Sequence, residues 1–172
     1  KSEERKDSCM WKLMKEENEM AYENLTSYGY GICTSELTKE IEIDRLLDLI
    51  KTAPELHKKI TRFFADSGSL ENIETYDILT VYVETCGDYN SGGLAEILRE
   101  VIMETEKIDL MVCEDYESET YLLFEPRYPW TESTEKEKNL TEEKLNEIFR
   151  KYLSIVTDEE LEVGYRKVEN GC

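Results

Sequence analysis

The chain has 172 residues, 40 of them Asp or Glu and 21 Lys or Arg, for a formal net charge of −19 at pH 7. A surface this negative repels nucleic-acid phosphate and anionic lipid headgroups, so direct binding to nucleic acid or to a membrane surface is excluded as an expectation. Hydrophobic residues make up 40% of the chain, with 11 Tyr, 4 Phe and 2 Trp, which describes a folded body with an acidic skin and not a disordered acidic tail.

Residues 1–25 pattern as a helix, with Met10, Trp11, Leu13, Met14, Met20 and Ala21 near helical spacing and a polar start that should fray. Tyr28, Tyr30 and Ile32 then alternate with glycine, which suits a strand whose other face is closely approached by backbone. Asp44 is a candidate N-cap for a helix carrying Leu46, Leu47, Leu49 and Ile50. Pro54 opens a second helix, with Leu56, Ile60, Phe63 and Phe64 as its stripe and Ser67-Gly68 as its end. A β-branched segment from Ile73 to Thr85 reads as a further helix. Cys86–Gly93 reads as a glycine-rich loop that opens onto an amphipathic helix, Leu94–Ile102.

The period then switches to two. Ile108–Glu114 and Thr120–Glu125 form a candidate hairpin around Asp115–Ser118, and Pro126 and Pro129 end its second strand. Thr141-Glu-Glu starts a helix running to about Ile155, and Leu161–Val168 alternates as a last strand. Helices and strands do not alternate one for one. The expected fold is therefore α+β, with helices packed on one face of a small mixed or antiparallel sheet containing the hairpin near 108–125. The expected organisation is an N-terminal helix, partly frayed, over residues 1–27, and a single α+β domain over 28–172.

Chemistry-bearing motifs are sparse. The five cysteines, Cys9, Cys33, Cys86, Cys113 and Cys172, are scattered and lack C-x-x-C spacing, which predicts reduced thiols in a cytoplasmic protein. No apolar run approaches the roughly 20 residues of a membrane span, and no signal peptide is read. The chain opens on Lys1, as expected of a trimmed start. His57 is the single histidine and adjoins Lys58 and Lys59, so it reads as a surface residue before it reads as a base for Cys86. Asp88-Tyr-Asn-Ser-Gly-Gly93 resembles a calcium loop only at its start, since Arg99 stands where the bidentate Glu belongs. No catalytic residue, metal or cofactor is expected.

Tyrosines interleaved with acids carry more weight. Rigid aromatic area beside carboxylates complements an Arg- or Lys-rich surface. The densest case is the hairpin turn and its exit: Glu114, Asp115, Tyr116, Glu117, Glu119, Tyr128 and Trp130 are the candidate partner-binding residues. Their like charges repel, so replacing the four acids with neutral residues is expected to leave the fold intact or slightly more stable while weakening partner binding.

Tyr121-Leu-Leu-Phe-Glu-Pro-Arg-Tyr-Pro-Trp130, Glu135–Leu145, Thr157-Asp-Glu-Glu, the ending Val168-Glu-Asn-Gly171 and Tyr28-Gly-Tyr-Gly-Ile32 together resemble a family of small acidic proteins of unassigned activity from mobile elements and phages of Firmicutes. The resemblance implies no catalytic residues. It implies a mobile-element cargo protein, a class in which acidic proteins act as anti-CRISPR or anti-restriction inhibitors. The expected function is an acidic protein-binding module that mimics nucleic acid and occupies a basic surface, such as that of a nuclease. The alternatives are a small cytosolic enzyme using the Cys86–Gly93 loop and a homo-oligomeric, for instance dimeric, accessory protein.

Overall fold

The computed structural model describes residues 26–66, 92–125 and 133–169. The helix expected over 1–25, the segment 73–85, residues 86–91 of the glycine-rich loop, and Tyr128 and Trp130 lie outside them. Among the described residues the elements run β1 (Thr26–Cys33), α1 (Ile43–Lys51), α2 (Pro54–Asp66), α3 (Gly92–Glu106), β2 (Met111–Glu114), β3 (Thr120–Phe124), α4 (Glu135–Lys138), α5 (Glu142–Val156) and β4 (Gly164–Glu169). The fold is α+β. The four strands form one antiparallel sheet in the order β2-β3-β1-β4.

Burial explains which segments became which element. Leu46, Leu47, Leu49 and Ile50 form one face of α1, and Leu145, Phe149, Tyr152, Leu153 and Val156 one face of α5, so each helix hides a single stripe. Helix α3 buries Leu94, Ala95, Ile97, Leu98, Val101 and Ile102, a stripe wide enough to meet both the sheet and the other helices. These faces close on Ile32 and Leu122 of the central strands in one main core. Helix ends are tied across the chain. The Glu104 carboxylate of α3 accepts from the Glu55 and Leu56 amides at 2.8 and 2.9 Å, satisfying the free N–H groups at the start of α2. Thr134 and Glu137 form a reciprocal capping box on α4.

Three sequence expectations need correction. The first hairpin strand starts at Met111 and not at Ile108. Lys107 has a positive φ of 58°, which turns the chain, and Ile108 and Leu110 are buried in the helical core; their alternation comes from that burial and not from ladder pairing. Leu161 likewise belongs to the main core, and β4 begins only at Gly164. Asp44 lies in the first turn of α1; Glu42 is the N-cap and makes no side-chain cap bond.

The glycines of β1 set the sheet's shape. A Cβ at Gly31 would lie 2.0 Å from the Leu122 carbonyl oxygen, and one at Gly29 would lie 2.7 Å from the Leu123 Cβ. On this glycine-bearing face, away from the main core, Val168 of one edge strand packs with Leu123 and with Cys113 of the opposite edge strand. The sheet therefore curls about β1, and at positions 29 and 31 the curl leaves no room for a side chain.

Candidate functional site

The hairpin turn is built on Asp115. The Asp115 amide donates to the Glu119 carbonyl and the Ser118 amide to the Asp115 carbonyl, each at 3.1 Å. Ser118 takes a φ of 62°, the left-handed residue that closes a turn of this kind. Asp115 Oδ1 accepts from the amides of Glu117 and Glu119, both at 2.9 Å, and Oδ2 accepts from the Tyr121 hydroxyl at 3.1 Å. The carboxylate thus does the work of two backbone acceptors, as aspartate commonly does in turns.

The other acids of the turn differ from Asp115. Glu114, Glu117 and Glu119 are exposed, and no cation among the described residues pairs with any of them. Glu119 also accepts from Tyr121 at 3.3 Å and lies 4.0 Å from the Cys33 sulfur. Burial, with the charges of Glu36 and Glu119 nearby, pushes the Cys33 thiol up, so it stays protonated. Burial likewise raises the Tyr121 phenol, aided by Cys33 and the bond to Asp115. Of the four acids expected to be neutralised without structural cost, Asp115 alone braces the turn's backbone, so that expectation is sustained only for Glu114, Glu117 and Glu119, as a proposal to be measured.

Tyr116 is exposed at the turn, and its hydroxyl donates to Glu169 of β4, on the far edge of the sheet. That bond crosses the curl and brings the turn beside β4. Lys167 also pairs with Glu169. The carboxyl of Glu169 is held below the usual range by Lys167 first and Tyr116 second. The bond to Glu169 in turn raises the Tyr116 phenol.

Beside this junction lies a surface that the sequence did not single out. Tyr28 stands opposite Lys167 and Tyr30 opposite Tyr165, so Tyr28, Tyr30, Tyr165 and Lys167 share one face of the β1–β4 pair. Tyr28 is 56% and Tyr165 69% exposed. Tyr30 and Tyr165 meet edge to face, centroids 5.2 Å apart. The Tyr165 hydroxyl donates to Glu142, in the first turn of α5, at 2.8 Å, which raises its pKa. The same face buries Ile32 further along β1, where the helices cover it. Beyond their reach Tyr28 and Tyr165 are exposed and Tyr30 is half-buried. Each strand is legible in the sequence, and Tyr28 and Tyr30 alternate with glycine in β1. The pairing of residue 30 with residue 165 had no local signal.

The other candidates gather less. His57 is half-buried on α2, and Cys86, its proposed partner, lies outside the described residues. No group of three His, Cys, Asp or Glu residues that could hold a metal ion occurs among the described residues. No helix among them is long and apolar enough to cross a membrane. Comparison of the chain with family models, curated proteins and solved structures finds no match.

Proposed function

We propose that this chain is a protein-binding module whose acidic surface occupies a basic groove on a nucleic-acid-handling partner, imitating phosphate. The observation that carries the reading is the hairpin tip. Glu114 at the end of β2 and Glu117 and Glu119 of the hydrogen-bonded turn are exposed with no cation paired to them among the described residues, on a chain of net charge −19. Acids that neither cap a backbone nor meet a cation add little to stability, and they complement an Arg- or Lys-rich surface. A host-defence nuclease is the kind of partner that the mobile-element resemblance suggests.

The test is binding of the purified chain to a panel of purified nucleases and DNA-binding proteins at low salt, with duplex DNA as competitor. The expected result is a complex that DNA displaces and that weakens steeply with salt. A panel in which no basic partner binds at low salt refutes the reading, and so does a complex indifferent to both salt and DNA.

A further inference from the structure

We infer that the tyrosine face of β1–β4 is the docking surface of this module, and that its occupant is an arginine-bearing extended segment of the partner. This inference rests on the binding reading above and adds the surface and the chemistry of what it holds.

Four observations carry it. Tyr28, Tyr116 and Tyr165 are three of the four large hydrophobic residues found exposed among the described residues, and the Tyr116–Glu169 bond ties them to one region. Tyr165 on β4 stands opposite Tyr30 on β1 and diagonal to Tyr28, with Tyr30 edge to face against Tyr165, so the three present ring area from one face of the paired strands. The hydroxyls of Tyr165 and Tyr116 donate to Glu142 and Glu169. A phenol bonded to a carboxylate gains electron density, and that strengthens the negative ring face that attracts a cation. Finally, Lys167, the cation on this face, is already paired to Glu169.

Charge decides among occupants. An anionic lipid or a nucleic acid meets repulsion from a chain of net charge −19, and so does a second copy. A guanidinium fits best: it is flat, weakly hydrated, and can stack on a tyrosine while donating to a flanking carboxylate. Lysine can offer its charge but not the stacking plane.

The experiment measures fluorescence anisotropy with labelled twelve-residue repeats of Arg-Gly, Lys-Gly and Glu-Gly as probes, each longer than the 8-residue β1 so that it can cover the whole face. Four proteins are compared: the full chain, Tyr28→Leu/Tyr165→Leu, Tyr28→Phe/Tyr165→Phe, and Glu114→Gln/Glu117→Gln/Glu119→Gln. Both tyrosines are exposed, so circular dichroism and melting should match the parent in either pair variant. The Arg-Gly probe should bind the parent more tightly than the Lys-Gly probe, and the Glu-Gly probe should not bind. Each ring supplies about a two- to fivefold gain at an exposed site, so the leucine pair should bind roughly tenfold more weakly. The phenylalanine pair should stay within about threefold of the parent. The salt slope of the leucine pair should equal the parent's, since no charge was removed, while the glutamine triple should flatten it.

If the parent binds the Arg-Gly probe and the leucine pair binds it equally, the docking surface lies elsewhere and only this inference falls. If the parent prefers the Lys-Gly probe, stacking is not the mode and the inference falls. If sedimentation shows the parent dimeric and the leucine pair monomeric, the face is a self-interface and the inference falls. If the parent binds neither cationic probe at low salt, the binding reading falls, and the inference with it.

Discussion

Replacing Asp115 separates the structural acid of the hairpin from the acids free to bind. Asp115→Ala deletes the acceptor of the Glu117 and Glu119 amides at 2.9 Å and of the Tyr121 hydroxyl at 3.1 Å. Side-chain caps on exposed backbone amides contribute about 1 kcal/mol each. Tyr121 keeps a second acceptor in Glu119 at 3.3 Å, so that loss is partial. Relief of repulsion from the neighbouring acids returns a few tenths of a kcal/mol. The net cost should be about 2 kcal/mol, or a melting point about 4–8 °C lower for a chain of this size. Asp115→Asn keeps Oδ1 as an acceptor and should cost less than half of that. The glutamine triple at 114, 117 and 119 should melt within about 2 °C of the parent or above it. Thermal unfolding followed by circular dichroism reads all three variants. The reasoning is refuted if Asp115→Ala melts with the parent, or if the glutamine triple loses as much as Asp115→Ala.

Gly31→Ala places a methyl where the Leu122 carbonyl oxygen already lies 2.0 Å away, so backbone must move, and urea unfolding should show a loss of about 3 kcal/mol; Gly164→Ala, with nothing within 4 Å, should be tolerated. Glu106 accepts from Lys151 and Tyr152, both at 2.8 Å, and from Lys136 at 3.3 Å, and its pKa is depressed from 4.5 to about 2, with the Lys151 hydrogen bond the largest cause. A depressed folded-state value adds stability that is complete above the unfolded-state value and is lost as pH falls toward the folded-state one. Glu106→Gln should therefore be less stable at neutral pH, by on the order of 2 kcal/mol, and its urea midpoint should converge on the parent's between pH 4.5 and about 2. Added salt should raise the chain's own melting point by screening self-repulsion while it weakens the partner complex, and matching signs in the two titrations would contradict the electrostatic account.

Elements with a local signature were legible in the sequence, and contacts between distant strands were not. The hairpin turn at Asp115–Ser118 was marked by its residues, and the Tyr-Gly alternation of β1 announced the close approach seen at Gly29 and Gly31. Where Ile108 and Leu161 alternate like strand residues, burial under helices produced the same pattern, and periodicity alone cannot separate the two causes. The turn acids looked alike in sequence because composition carries no hydrogen bonds; only the geometry sets Asp115 apart from Glu114, Glu117 and Glu119. The exposed pair Tyr28 and Tyr165 arises from strands more than a hundred residues apart, and the Tyr116–Glu169 bond, which joins it to the turn's acids across the curl, spans 53 residues.

Where the cations go explains how a chain this acidic folds and still presents charge. Several basic side chains serve as staples between elements. Lys136 of α4 and Lys151 of α5 converge on Glu106 at the end of α3, Arg45 of α1 reaches Asp158 beyond α5, and Arg166 of β4 holds Glu36 beyond β1. Other acids are occupied by backbone: Glu104 at the start of α2, and Glu159 on the amides of Thr38 and Lys39. Each such group satisfies a donor that would otherwise be left at a helix end or a turn. With 21 cations against 40 acids, cations used inside the fold leave the surplus negative charge on the surface. At the hairpin tip that surplus stands on a turn tied through Tyr116 to the tyrosine face of β4. Carboxylates for attraction and rings for stacking thus meet in one region, which is the combination a cationic segment requires.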